Sequence, residues 1–245
     1  MTNQIRKYGL IGYPLSHSFS PNYFRDKFAR EGIIDADYQS YPIEDISDVF
    51  VLFEEGLLGL NVTIPYKEKV IPLLDSIDST AEAIGAVNTI KKNGDSLIGY
   101  NTDYNGFTDS IRPLLHDDIM TKCMILGSGG ASKAVAYSMN QLDYNCTVVS
   151  RSRGDLLYKD IDDSVMQQHK IIVNTTPLGM SPNQDTYPDI PYQLLTADHL
   201  LYDLIYNPKK SMFLAKAEQK GATIINGLQM LELQAEASWK IWNTK

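Results

Sequence analysis

Only two cysteines, Cys123 and Cys146, occur in the chain, and neither belongs to a CxxC or histidine-rich ligand pattern. A disulfide framework and a zinc site are therefore not expected, no other metal site is expected either, and each thiol, lying in an apolar run, reads as a small buried hydrophobe. Positive charge is also short: 22 Lys and Arg against 30 Asp and Glu leave a formal net charge of -8. That balance argues against nucleic acid as a partner, because neutralising a phosphate backbone needs a basic face. Long apolar runs are missing as well. Residues 1–14 are interrupted by Gly9, Gly12 and Pro14, unlike a signal peptide, and no stretch reaches the ~18 apolar residues that a membrane span needs. The expectation is a cytoplasmic protein with no membrane partner, a monomer or homodimer that acts on small molecules.

What is present is an ordinary globular composition, 43% hydrophobic and 21% charged, with no repeat or low-complexity tract. The order of elements changes near residue 104 and again near 225. In the first part, Tyr8 to Ile11 predicts a strand. Pro21 to about Arg30 predicts a helix with Ser20 as N-cap, Pro21 at its first position and Gly32 at its stop. Tyr38 to Tyr41 and Leu58 to Ile64 predict strands around a helix at Ser47 to Glu55. A short helix at Thr80 to Ile84 then leads to a hairpin, Val87 to Lys91 and Ser96 to Tyr100, turned at Asn93-Gly94.

A helix from Asp103 toward Lys122 precedes a strand at Cys123 to Leu126, a glycine turn, a helix at Ala131 to Gln141 and a strand at Thr147 to Val149. That order is a βαβ unit. Strands at Ile171 to Val173, Leu200 to Leu204 and Thr223 to Ile225, and a helix near Lys210 to Lys220, extend it into a parallel α/β domain. A closing helix from Gly227 to about Trp242 carries Leu228, Leu231, Ala235 and Trp242 at helical spacing. The predicted fold class is α/β: a mixed-sheet substrate domain at 1–103, a Rossmann-like domain at 104–226, and a helix at 227–245 returning to the first domain.

The turn Gly127-Ser128-Gly129-Gly130-Ala131-Ser132 sits after a strand and before a helix, where backbone amides and the helix dipole favour a pyrophosphate. The alternative is a tight βα connection with no ligand. At the end of the next strand, where an NAD site carries a carboxylate, stands Ser150-Arg151-Ser152-Arg153. Guanidiniums suit a 2′-phosphate, which a carboxylate would repel; a solvated basic turn is the plainer alternative. Around Ser16 to Pro21, hydroxyls beside a helix start suit a carboxylate ligand, or else Ser20 only caps the helix and His17 only braces the loop. Lys67 and Asp103 each lie at the edge of a predicted element, where catalytic groups and solvated surface charges both occur.

Taken together the motifs resemble the shikimate dehydrogenase family over Gly12 to Ala235. His17-Ser18-Phe19-Ser20-Pro21 matches HSxSP, and Asn61 to Lys67 matches NVTxPxK. Gly85 to Thr89 matches GAxNT, and Gly99 to Gly106 matches GxNTDxxG. Asn174 to Met180, Tyr202 to Pro208 and Gly227 to Ala235 resemble the remaining signatures. The resemblance implies reversible, NADP(H)-dependent reduction of 3-dehydroshikimate to shikimate, on the route to chorismate and the aromatic amino acids. It assigns catalysis to Lys67 and Asp103, and substrate contacts to Ser18, Ser20, Thr63, Asn88, Tyr206 and Gln234. It assigns cofactor contacts to Gly127, Ser128, Gly129, Gly130, Ala131, Ser150, Arg151, Ser152 and Arg153, with Leu204 and Gly227 near the nicotinamide.

Three departures from the family pattern stand out. Phe24 replaces a histidine, Ser150 replaces an asparagine, and the segment between Ser152 and Ile171 is short enough that the usual helix there is predicted to be missing. Two rival readings remain: a relative that takes quinate or both acids, and a non-catalytic NADP-binding regulator, which should lack Lys67 or Asp103.

Overall fold

The structure, a computed structural model, describes residues 5–15, 18–115 and 122–244. It divides into two compact units, Met1–Gly106 with Glu232–Lys245, and Phe107–Leu231. The first contains β1 (Arg6–Gly12), α1 (Ser20–Glu31), β2 (Ala36–Pro42), α2 (Val49–Glu54), β3 (Leu57–Val62), β4 (Ser76–Ile77), α3 (Ser79–Ile84), β5 (Thr89–Asn93) and β6 (Ser96–Tyr100). It also holds the start of α4 (Asp103–Ile111). The strands form one mixed sheet in the order β2-β1-β3-β5-β6-β4. The β1 and β3 strands run parallel, whereas β5 lies antiparallel to both β3 and β6.

Alternation along the strands builds two apolar clusters. Ile11, Leu57, Leu60, Val62 and Ile90 pack with Val49 and Phe53 of α2. Tyr8, Leu10 and Tyr38 pack with Phe24 and Phe28 of α1, and with Ala235 and Trp242 of the last helix. Trp242 also donates its indole N–H to Ile90 O at 2.9 Å. Phe24, where the family pattern has histidine, is fully buried and stacks on Tyr38 with ring centroids 4.3 Å apart.

The second unit contains β7 (Cys123–Leu126), α5 (Gly130–Gln141), β8 (Cys146–Ser150), β9 (Leu156–Leu157), α6 (Asp163–Gln168), β10 (Ile171–Asn174), β11 (Leu200–Asp203), α7 (Met212–Glu218) and β12 (Thr223–Asn226). Its six strands are all parallel, ordered β12-β11-β10-β7-β8-β9. This is the doubly wound order, with the reversal between β7 and β10. The dividing points between the units fall inside α4 and inside α8 (Leu228–Asn243). No helix among the described residues is long and apolar enough to cross a membrane.

Three expectations are corrected. Ser20 does not cap α1: Phe19 holds the N-cap position without a side-chain cap, and Ser20 lies inside the helix, buried beside Tyr38. The helix predicted to be missing after the second cofactor strand is present as α6, because Asp162 accepts the N–H of Val165 at 2.9 Å and starts one short turn. Cys146 is only partly buried, while Cys123 is fully buried; both are free thiols.

Candidate active site

The first unit gathers its polar groups beyond the end of β3. After Val62 the chain turns, with Tyr66 N–H donating to Thr63 O at 2.9 Å. The Tyr66 hydroxyl pins that turn from outside by donating to Ile43 O at 2.7 Å. Lys67 follows, its own carbonyl accepting Val87 N–H at 2.8 Å. On the other side, Asn101 donates to Ala86 O at 2.9 Å and accepts Tyr104 N–H at 3.2 Å, which fixes the entry to α4. Asp103 is the first residue of that helix.

These two anchored segments bring Lys67 and Asp103 together. Lys67 Nζ donates to Asp103 Oδ2 at 2.5 Å, with the side chains 17% and 8% exposed. The other carboxylate oxygen accepts Asn88 Nδ2 at 3.0 Å. The orientation of that amide is unambiguous, because Asn88 Oδ1 accepts the backbone N–H of Thr102 at 2.6 Å. Gln234 of α8 is buried next to it, its Oε1 lying 3.4 Å from Asn88 Nδ2. A cation, a carboxylate and two amides thus converge in one partly exposed spot, a set able to move a proton and to hold hydroxyl groups.

Of the remaining substrate candidates of this unit, Thr63 and Ser18 lie on loops and Ser20 lies in the first turn of α1. Thr63 follows β3, its N–H bonded to Ile11 O at 2.9 Å. Its methyl occupies the space a Cβ on Gly12 would need, so glycine is required there. Ser18 donates to Leu15 O at 3.1 Å. His17 lies outside the described residues. Tyr206 belongs to the second unit, where it is half-buried and burial pushes its phenol upward from the usual range.

In the second unit the glycine turn joins β7 to α5. Gly127 has φ +113°, and a Cβ there would meet Thr175 Oγ1 at 2.6 Å, so only glycine lets β7 and the loop after β10 approach this closely. Gly129 is the N-cap of α5 and offers no side chain to its amides. Among the described residues nothing stands within 4 Å of the Cβ it lacks. The helix start is therefore open to an anion, flanked by Ser128, Gly130 and Ala131, while Ser132 is buried against the sheet.

Past β8, Arg151, Ser152 and Arg153 are exposed, and Ser150 Oγ shapes their loop by accepting Arg153 N–H at 2.7 Å. Donors of this kind fit a phosphorylated dinucleotide. Leu204 and Gly227 lie back to back: a Cβ on Gly227 would collide with the Leu204 carbonyl. Below them Asp203 is fully buried and accepts from Asn174 Nδ2 at 3.0 Å, from Ile205 N–H at 3.0 Å, and from Ser211 Oγ. Burial lifts its carboxyl to about 6, against the pull of those donors.

Several buried polar residues were given no site role from the sequence, although three of them stand inside its motifs: Asn61, Thr89, Thr102 and, outside any motif, Ser238, all linked to the Lys67–Asp103 centre by hydrogen bonds. One signal for Ser238 exists, since it lies one helical turn after Gln234 on the side of α8 that also carries Ala235 and Trp242.

The family model described as "Shikimate dehydrogenase substrate binding domain" matches residues 10–90. The chain is 35% identical to a shikimate dehydrogenase (NADP(+)) of Desulforamulus reducens over 260 residues, 96% of this chain and 88% of that one. A shikimate dehydrogenase (NADP(+)) of Aquifex aeolicus is 36% identical over 253 residues, 98% of this chain and 92% of that one. Among solved structures, the shikimate 5-dehydrogenase of Thermus thermophilus in complex with NADP(H) and shikimate superposes with a TM-score of 0.86. It has 25% identity, covering 98% of this chain and 94% of that one.

Proposed function

This chain belongs to the shikimate dehydrogenase family, and from that membership we propose that it catalyses the reversible, NADPH-dependent reduction of 3-dehydroshikimate to shikimate in the cytoplasm. The observation that carries the reading to chemistry is the Lys67–Asp103 pair at 2.5 Å, braced by Asn88. NADPH supplies the hydride. Negative charge then grows on the former carbonyl oxygen, and Lys67, donating a hydrogen bond there, stabilises it and delivers the proton. Asp103 orients the lysine and shares the proton, while Asn88 keeps the carboxylate aimed by donating to its second oxygen.

Ser18, Ser20 and Thr63 supply hydroxyls for the carboxylate and ring of the substrate, with Gln234 and Tyr206 as further contacts. In the second unit, residues 127–131 hold the pyrophosphate on open backbone amides. Arg151 and Arg153, with Ser150 and Ser152, meet the adenosine 2′-phosphate, and Leu204 and Gly227 line the nicotinamide end. An enzyme of broader quinate/shikimate specificity is the nearest second reading, since one ring hydroxyl decides it.

The test is one assay of purified protein, following NADPH absorbance with shikimate or quinate and with NADP or NAD. The expected result is turnover of shikimate with NADP well above every other pairing. Comparable rates with quinate would move the assignment to the broader enzyme, and no turnover with either acid would overturn the reading.

A further inference from the structure

Behind the catalytic pair three hydroxyls close a triangle. Thr89 Oγ1 and Ser238 Oγ are 2.8 Å apart, Ser238 Oγ and Thr102 Oγ1 3.0 Å, and Thr102 Oγ1 and Thr89 Oγ1 3.2 Å. All three residues are 0% exposed, and they come from β5, from the residue before α4, and from α8. Two amides close the figure. Asn88 Nδ2 donates to Thr102 Oγ1 at 2.9 Å, and Asn61 Nδ2 donates to Ser238 Oγ at 2.9 Å and to Thr89 Oγ1 at 3.1 Å.

Neither amide can be turned over. Asn88 Oδ1 faces a backbone N–H, and Asn61 Nδ2 also reaches the backbone carbonyl of Asn88 at 3.3 Å, a group that only accepts. The amide nitrogens only donate, so each hydroxyl proton goes either to another corner of the triangle or outward to an oxygen. The outward acceptors within reach are Gln234 O, 3.0 Å from Ser238 Oγ, and Asn88 Oδ1, 3.2 Å from both Thr89 Oγ1 and Thr102 Oγ1. Thr102 Oγ1 also lies 3.5 Å from Gln234 Oε1. Every arm of the triangle therefore ends on Asn61, Asn88 or Gln234. A core that only needed filling would have apolar groups at these three positions, since buried hydroxyls add desolvation without adding apolar contact.

We propose that the Thr89–Thr102–Ser238 triangle is a positioning device that sets Asn88 and Gln234 against the substrate and keeps Asn88 on Asp103, with Ser238 as the corner that fixes α8. The role toward substrate rests on the proposed function; the role toward the two amides does not. The experiment uses the full chain, with Ser238→Ala, the near-isosteric Thr102→Val, and Thr102→Ser, which keeps the hydroxyl. Steady-state kinetics are read together with the side-chain amide NMR signals of Asn88 and Gln234 in ¹⁵N-labelled protein.

Ser238→Ala and Thr102→Val are expected to raise KM for shikimate roughly three- to tenfold, with a smaller fall in kcat and an unchanged KM for NADP. The Asn88 and Gln234 amide signals should shift and lose protection from exchange, and Thr102→Ser should recover most of both changes. Ser238→Ala removes one oxygen and adds no bulk, so it keeps the test open if Thr102→Val fails to fold. Wild-type KM, kcat and amide signals in Ser238→Ala, with only a lowered melting temperature, would overturn the device. If the wild-type protein does not oxidise shikimate while the variants still move the amide signals, the proposed function falls and the device stands.

Discussion

Each unit buries an aspartate at the end of a sheet strand or helix, and the two are treated in opposite ways. Asp103 is 6% exposed and faces the ammonium of Lys67, a flexible cation that can swing and exchange its proton. Asp203 is 0% exposed, and its partners among the described residues are neutral: an amide, a backbone N–H and a hydroxyl. A carboxylate matched to a mobile cation stays ready for chemistry. One matched to neutral donors serves architecture, here tying the end of β10 to the start of α7. The same contrast runs through the candidate sites: the first unit presents side chains converging on a point, and the second presents bare backbone amides and exposed guanidiniums.

The sharpest way to break the contrast is to remove the cation from the first aspartate. Lys67→Ala is expected to lower kcat about 10²- to 10⁴-fold, with a smaller change in KM. Steady-state kinetics showing an unchanged kcat would return Lys67 to the role of a mere counter-ion.

For the second aspartate the prediction concerns stability. Its folded-state value of about 6 lies above the ordinary value of 3.8. A raised carboxyl makes the folded state bind more protons than the unfolded chain between those two values. Its stabilising contribution is therefore present below about pH 4 and lost as pH rises through about 6. At 1.36 kcal/mol per unit the difference approaches about 3 kcal/mol. Asp203→Asn should abolish that component, so denaturant titrations at pH 4 and pH 7 should show the variant gaining on the parent at the higher pH. A difference that does not depend on pH would show that folding does not shift the Asp203 carboxyl.

The smallest effect is expected at the exposed arginine. Arg151→Ala should weaken NADP about tenfold, as loss of a charge-assisted contact to phosphate would, and leave NAD nearly unchanged. Equal losses for both cofactors would reduce Arg151 to a solvated loop residue.

The fold was legible wherever local chemistry sufficed. The Asn93-Gly94 pair marks the β5–β6 hairpin, and Gly94 adopts the positive φ, 62°, that such a turn demands. The glycine turn between β7 and α5 was legible for the same reason. The two-residue strands β4 and β9 were not, because each exists only as a ladder on its neighbour, β6 or β8. Ser20 before a proline carries the signal of a cap, yet the helix starts one residue earlier than that signal implies and takes Ser20 into its buried face. Lys67 and Asp103 stood out through their motifs. The hydroxyl triangle could not, since its corners are 13 and 149 positions apart in the chain; Thr89 and Thr102 stand inside matched motifs, but nothing in either motif points to the other or to Ser238 until the fold joins them.

The first unit is built from two separated stretches of chain, with the whole of Phe107–Leu231 between them. During synthesis the strands β1 to β6 leave the ribosome long before α8 does, so Tyr8, Phe24 and Tyr38 wait without Trp242. The second unit, contiguous in sequence, is free to fold while they wait, reversing the usual N-terminal-first order. A released chain ending at Leu231 would then carry the whole of the second unit and lack the α8 segment of the first.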